Sequence, residues 1–292
     1  MSLLLLFFCL DDSFSIDELH IQRIGSSVAQ GPVILFNGMS GLNVKIYWFN
    51  LEKQSGKTLD PNLVKLHNPY VLVSRNGFLL VQAVGEPTLV HLNLNGDYLR
   101  RQLLPEFRGW DDSLVFKGLS GYARPLMANF ETRDGKKVLI AALDTEKQTL
   151  DFLHQQHQDE KTHRFYPWRD GHVHLVYETG LVEFLTSDFQ VKEVLRSGVA
   201  PIPIDPSRAI ARRRAFYSLL WPTAFMEDRI VFSFNKPDLY ASAKYPEPLT
   251  RVLTLEKEGW QESTAILLGE HQGKKLLFDR LSQEFQILSA RR

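Results

Sequence analysis

The chain has 292 residues, and its 34 Lys and Arg balance 34 Asp and Glu, so its formal net charge is zero. This balance argues against a nucleic-acid-binding protein, which would carry a basic surplus, and a hydrophobic content of 44% excludes predominant disorder. The single cysteine, Cys9, excludes an intrachain disulfide and a cysteine-based zinc site. The 19 Phe residues favour β structure.

The first predicted element is the apolar run at residues 2–10, which ends at Asp11 and Asp12. It is too short for a bilayer span, which needs about 20 residues. It also lacks the basic start and small-residue cleavage site of a signal peptide. We therefore interpret it as a buried β-strand and expect a cytoplasmic protein without a membrane span. An atypical export signal is the alternative, and it would make the protein an exported one.

Four short strands are predicted in succession at residues 70–74, 78–84, 88–94 and 98–104. Turn residues separate them, and Asn95-Gly96 is a strong hairpin signal. Hairpins of the same kind are predicted to start near residues 45, 89, 137, 181, 250 and 275, with first gaps of 44, 48 and 44 residues. A period in the forties built from four-stranded units is typical of a β-propeller. A long β-sandwich or a pair of β-domains is the alternative.

Two stretches interrupt this rhythm within what we predict to be a single domain of residues 1–292. Residues 1–30 are expected to supply closing or extra strands. Residues 197–224 are rich in proline and are expected to form a long connection. The Arg212–Arg214 run within that connection is interpreted as a solvated face, with anion binding as the alternative.

Three acidic residues recur at a spacing close to the predicted period, because Asp60, Asp112 and Glu160 are 52 and 48 residues apart. Each precedes the first strand of a predicted unit, and such positions converge on the central funnel of a propeller. Cleavage of a glycoside uses a pair of carboxylates, and a third carboxylate can raise the pKa of the acid. The spacing therefore predicts a carboxylate-lined funnel. Ordinary turn acids at strand starts are the alternative.

Four segments between about residues 58 and 202 carry a family resemblance. They are Asp60-Pro61-Asn62-Leu63-Val64 followed by Tyr70–Arg75, Asp111–Phe116, Glu160-Lys161 followed by Phe165–Tyr177, and Arg196–Pro201. Their order and spacing resemble the five-bladed β-propeller carbohydrate-active enzymes. That group comprises furanosidase/xylosidase-type hydrolases and the β-mannoside phosphorylase and mannosyltransferase group.

The resemblance implies an all-β, five-bladed propeller, whereas the hairpin count leaves six or seven blades open. It implies a glycoside hydrolase, phosphorylase or transferase in which Asp60 is the base or a hydroxyl contact, Asp112 positions the sugar and Glu160 is the acid. The substrate-binding residues would be Asn62, Arg75, Trp110, Asp111, Lys161, His163 and Asp238. The partner would be a carbohydrate or glycoside. The resemblance implies no redox cofactor and leaves a metal optional, and we expect no cofactor other than phosphate as a possible co-substrate.

Departures from the family pattern keep a second function open. Ser113-Leu114 stands where the family has Pro-Arg, and Thr162-His163 stands where it has Asn-Trp. We therefore expect an enzyme but retain the alternative of a non-catalytic propeller that binds a protein or a sugar.

A group of histidines lies in the middle of the chain and comprises His154, His157, His163, His172 and His174. The spacing of His172 and His174 would place both rings on one face of a strand, as a metal site requires. No carboxylate partner is evident in the sequence, so we predict no metal site. His154 and His157 are interpreted as residues of a surface turn.

Overall fold

The computed structural model describes residues 13–14, 16, 19–40, 43–59, 66, 69–83, 86–104, 114–122, 126–157, 163–176, 181–196, 220–226, 229–234, 252–256, 259–280 and 282–289. The described residues form 24 β-strands. None of them belongs to a helix long and apolar enough to cross a bilayer.

The first half of the chain contains thirteen strands. They are β1 (Ser13–Phe14), β2 (Arg23–Gln30), β3 (Val33–Ser40), β4 (Asn43–Asn50), β5 (Ser55–Thr58), β6 (Tyr70–Ser74), β7 (Gly77–Gln82), β8 (Thr88–Asn93), β9 (Tyr98–Leu103), β10 (Leu114–Ser120), β11 (Leu126–Thr132), β12 (Lys137–Asp144) and β13 (Thr149–His157).

The second half contains eleven more. They are β14 (His163–Trp168), β15 (Gly171–Val176), β16 (Leu181–Leu185), β17 (Val191–Arg196), β18 (Leu220–Phe225), β19 (Ile230–Phe234), β20 (Val252–Glu256), β21 (Gly259–Ser263), β22 (Ala265–His271), β23 (Lys274–Asp279) and β24 (Phe285–Ser289).

Consecutive strands pair antiparallel, and the resulting meanders are named here by their order. Meander A is β2–β5, B is β6–β9, C is β10–β13, D is β14–β17, E is β18–β21 and F is β22–β24. B, C and D are separate four-stranded sheets and F has three strands, whereas A and E share one nine-stranded sheet that also contains β1. The all-β propeller prediction is confirmed.

The predicted number of five blades is wrong for the sheets that the structure describes. The six predicted hairpins would fit five blades if residues 31–59 helped to close the last blade. Instead β3, β4 and β5 pair in order with β2 and form a meander of their own. The N-terminal segment supplies β2, the first strand of meander A. The expectation that residues 1–30 contribute closing or extra strands stays a prediction.

Strand β2 is bonded to several of the surrounding meanders. It pairs in parallel with β18, where Ala224 lies opposite Ser27. The Ser27 hydroxyl donates to the carbonyl of Leu268 in meander F at 3.0 Å, and the Ser26 hydroxyl accepts from Val71 N–H in meander B at 3.0 Å. These contacts bring the inner strands of A, B, E and F together around β2.

The apolar core follows the inner three strands of the meanders. Val71, Leu72, Phe78 and Leu80 in meander B are completely buried, as is Phe232 in meander E. The outermost strands are mostly exposed, since β9 and β17 each have a single residue that is not. Burial therefore decreases from the inner strands to the outer edge.

Candidate functional site

Most of the predicted site residues lie outside the described part of the chain. This holds for Asp60, Asp112 and Glu160, and also for Asn62, Trp110, Asp111, Lys161 and Asp238. Their placement around a funnel stays a prediction.

The two predicted site residues that are described occupy different positions in their meanders. Arg75 is exposed in the turn after β6, so it follows the end of an inner strand. His163 is the first residue of the inner strand β14 and is buried. These positions are at opposite ends of equivalent strands, and the structure gives no contact between the two side chains.

His163 belongs to a hydrogen-bonded relay of three titratable side chains. Its Nδ1 lies 2.8 Å from Nε2 of His174, and Nδ1 of His174 lies 2.7 Å from Oε2 of Glu183. His163 and His174 are buried, whereas the Glu183 side chain is 24% exposed. The relay therefore connects a buried imidazole to a carboxylate that reaches solvent.

Strand register explains why these three residues meet. His174 on β15 lies directly opposite Glu183 on β16, and Phe165 on β14 lies opposite His174. Directly paired residues of an antiparallel sheet project on the same face, and residues two apart in a strand do so as well. His163, Phe165, His174 and Glu183 therefore share one face of meander D.

The acceptor character of Glu183 orients the relay. The hydrogen bond from His174 lowers the pKa of the Glu183 carboxyl, so it is ionised at neutral pH and can only accept. Nδ1 of His174 must then donate to it. When His174 is neutral, its Nε2 accepts from His163, which leaves the lone pair of a neutral His163 on Nε2.

Two further histidines lie beside this relay. His154 of β13 and His172 of β15 both stack on Phe189, with ring centroids 4.4 Å and 4.1 Å away. The interpretation of His154 and His157 as surface-turn residues is wrong, because both belong to strand β13, and His154 is half-buried. The prediction of no metal site stays a prediction. Among the described residues no three His, Cys, Asp or Glu side chains are grouped so that they could hold a metal ion.

The carboxylate partner that was not evident in the sequence is Glu183. The hairpin signal at Thr179-Gly180 predicts that these two strands pair but misses their register, because a two-residue turn there would bring His174 opposite residue 185, whereas the structure pairs it with Glu183. The contact of His154 with meander D has no such local signal.

A cavity of about 510 Å³ lies elsewhere, between residues 16 and 19–22 on one side and residues 282–285 on the other. Its lining combines apolar side chains such as Leu19 and Phe285 with polar ones such as His20 and Glu284. It contains none of the predicted site residues and lies away from the histidine relay.

Replacing Glu183 with Gln is expected to lower the free energy of unfolding at pH 7 by about 1 kcal/mol, because a charge-assisted hydrogen bond becomes a neutral one. The folded-state pKa of Glu183 is depressed, so its contribution is complete above the ordinary value of 4.5 and is lost as the pH falls through the depressed pKa. Urea unfolding at several pH values measures both effects. The exposed Glu193→Gln is the control, and an equal loss in it would contradict the assignment.

Comparisons with known proteins identify no family for this chain. No protein-family model matches the chain, and no curated protein matches it significantly. Solved structures that match include the β-propeller domain of the Trilobed protease from Pyrococcus furiosus, at 10% identity over 94% of this chain and 86% of that chain, with a TM-score of 0.42.

Two other matching structures are proteins of different kinds. The WD40 domain of Neurospora crassa Pan2 is 10% identical over 93% of this chain and 80% of that chain, with a TM-score of 0.44. Oligogalacturonate lyase from Vibrio parahaemolyticus is 12% identical over 91% of this chain and 89% of that chain, also with a TM-score of 0.44. At these identities the likeness concerns the fold alone.

The resemblance to the five-bladed glycoside-active enzymes is wrong. The similar structures are WD40-type and other propellers, a protease domain and a lyase among them, and the described sheets do not form five blades. The roles that this resemblance implied for Asp60, Asp112 and Glu160 therefore lose their support. What remains for these residues is the regular spacing of the three acids.

Proposed function

We propose that the protein is a non-catalytic β-propeller that binds a protein partner along the outer edge of meander B. The supporting observation is the exposure of large apolar side chains at that edge. Leu94, Tyr98, Leu99 and Leu103 are 43–56% exposed, and they make up four of the ten exposed large hydrophobic residues among the described ones. An exposed apolar patch of this kind on a folded protein is typical of an interaction surface.

The backbone of β9 supports the same function. Among the described strands β9 pairs only with β8, so its other edge presents backbone donors and acceptors. An extended segment of a partner can add to such an edge, with side-chain contacts providing the specificity. Arg101 is exposed between Leu99 and Leu103, and alternate residues of a strand share a face. We therefore expect a partner segment that combines apolar side chains with an acidic one.

The contacts around β2 favour this function over a funnel enzyme. Inner strands of four meanders are joined there by the β2–β18 pairing and by the hydroxyls of Ser26 and Ser27. The outer edges, in contrast, carry eight of the ten exposed large apolar side chains, on β9, β13, β17 and β24. An enzyme with its active site in the central funnel would instead need an accessible surface at the centre of the propeller.

The test is site-specific photo-crosslinking in cells of the source organism. We expect the full chain with a photoreactive amino acid in place of Leu99 to form a discrete covalent adduct that mass spectrometry identifies. The same amino acid in place of Leu288 of β24, which is also exposed, should form none. Adding Arg101→Glu to the first variant should reduce the adduct by about tenfold, because a charge facing the partner's acid is reversed.

Two outcomes would contradict the proposal. One is the absence of an adduct at position 99, or adducts of equal yield at positions 99 and 288. The other is turnover of aryl glycosides or β-mannosides, with or without phosphate, that the combined Asp60→Asn, Asp112→Asn and Glu160→Gln substitutions abolish. The second result would establish the competing function of a glycoside-active enzyme.

A further inference from the structure

A strained aromatic residue joins meanders C and D. Phe189, in the turn after β16, has a φ of 64°, which is rare for a bulky residue and costs about 1–2 kcal/mol. The turn holds it there, because Phe189 N–H donates to the carbonyl of Thr186 and Gln190 N–H donates to the Thr186 hydroxyl, both at 3.0 Å. Backbone strain maintained in this way often accompanies a functional contact.

The contact that this turn maintains is a sandwich of three rings. Phe189 stacks on His154 with an interplanar angle of 5° and on His172 with one of 18°. His154 belongs to meander C, whereas Phe189 and His172 belong to meander D. Phe165 packs nearby, 5.9 Å from His154 and 4.4 Å from His174. We call the set of His154, Phe189 and His172 the histidine joint.

The joint requires neutral imidazoles. Burial lowers the pKa of His172 and outweighs the opposite effect of its hydrogen bond to the Ser187 carbonyl, 3.4 Å from Nε2. Burial is also the largest cause of the lowered pKa of His154, which nearby His174 and His172 lower further. An imidazolium on Phe189 would gain about 0.5–1 kcal/mol from the ring face. Two imidazoliums on opposite faces of Phe189, next to His174, would repel each other, and both charges would be desolvated. The neutral joint is therefore the packed one.

The other charged groups on the elements packed around the joint do not stabilise its protonated state either. Glu183 is the acid hydrogen-bonded to a histidine in meander D, and its partner is His174 rather than His154 or His172. Asp151 and His157 on β13, Asp170 and Asp188 in the turns and Arg196 on β17 are exposed, and Arg164 donates to the carbonyl of His163. None of these groups has a contact with the joint that would hold an added proton on it.

From this geometry we infer that the histidine joint is an acid-sensitive contact that releases strand β13 from meander D when His154 and His172 are protonated. The folded state disfavours the protonated rings, so the unfolded or opened state binds more protons below the ordinary histidine pKa. The contribution of the joint is complete above about pH 6.5 and is lost as the pH falls below it. The inference does not depend on the proposed partner.

Amide hydrogen exchange tests the inference on the full chain. The pH is lowered from about 7.5 to about 5.5, and the rates are corrected for intrinsic exchange. The amide protection of β13 should then fall by on the order of tenfold more than that of β9. The combined His154→Phe and His172→Phe substitutions keep the stacked rings and should remove this difference. His157→Phe, an exposed histidine of the same strand, is the matched control and should leave it unchanged.

Three results would overturn the inference. One is an equal acid-induced loss of amide protection in β13 and β9. The others are an extra loss in β13 that persists in the double variant, or one that His157→Phe removes. Ring titration by nitrogen NMR keeps the inference testable if the double variant does not fold. The wild-type rings of His154 and His172 should titrate below the ordinary histidine pKa of about 6.5, and titration of both rings at or above that value would contradict an acid-sensitive joint.

Discussion

Replacing Asn129 with Ala should lower the free energy of unfolding by about 3 kcal/mol, because a buried backbone N–H loses its acceptor and a cavity remains. Asn129 is 2% exposed, and its side-chain oxygen accepts from Phe165 N–H at 3.1 Å. Its amide group donates to the Ser120 hydroxyl at 3.0 Å and to the carbonyl of Phe165 at 3.3 Å. One side chain thus satisfies both backbone groups of a residue in the neighbouring meander.

The same device occurs between meanders A and B. Asn37 donates to the carbonyl of Pro69 at 2.8 Å and accepts from Ser26 N–H, while the Ser26 hydroxyl accepts from Val71 N–H. In both pairs a serine on the first strand and an asparagine on the second bind the first strand of the next meander. The two pairs are polar clasps between sheets that share no backbone ladder.

Urea unfolding measures the effect of Asn129→Ala, with Asn76→Ala as the control. Asn76 is exposed in the turn after β6, so its substitution should change the free energy by less than about 0.5 kcal/mol. A loss below about 1 kcal/mol for Asn129→Ala would show that the clasp contributes little. Asn37→Ala tests the other clasp and should behave like Asn129→Ala.

Replacing Gly171 with Ala should cost about 3 kcal/mol, because the new methyl group has no space. A Cβ at Gly171 would lie 2.1 Å from the carbonyl oxygen of Leu185, which belongs to the adjacent strand. Gly77 occupies the equivalent first position of β7, and a Cβ there would lie 2.1 Å from the carbonyl oxygen of Leu92. The first residue of the second strand in meanders B and D therefore lies too close to the third strand to carry a side chain.

The control is Gly31→Ala, which separates steric conflict from backbone conformation. Gly31 has a φ of 57°, and a Cβ added to it would meet no described heavy atom within 4 Å. The substitution should therefore cost only about 1–2 kcal/mol from the left-handed backbone. Thermal or urea unfolding compares the two variants. Equal losses would indicate that the sheet shifts to accept the methyl group at Gly171.

Local signals predicted most strands of meander B closely. The structure places strands at Tyr70–Ser74, Gly77–Gln82, Thr88–Asn93 and Tyr98–Leu103, within two residues of the predicted bounds. Apolar alternation and turn dipeptides such as Asn95-Gly96 act over a few residues, and Gly96 indeed has a positive φ of 80°. Strand position and propeller class therefore follow from short-range physics.

The number of blades and the histidine site could not be predicted from such local signals. Whether β3–β5 complete another unit or form their own with β2 depends on pairing across the molecule, including the parallel contact of β2 with β18. The joint of His154 with Phe189 likewise links residues of two sheets that no turn connects. Such contacts leave no periodic trace in the sequence, so their prediction requires the packing of the sheets.

The amino-acid sequence by itself determined the strands of meander B and their turns, because alternation and turn chemistry are properties of neighbouring residues, and its composition fixed the net charge of zero. Only the tertiary structure decided which side chains meet. It placed Glu183 opposite His174, Asn129 against Phe165 and β2 among four meanders, because each of these contacts is set by register or by packing between distant segments.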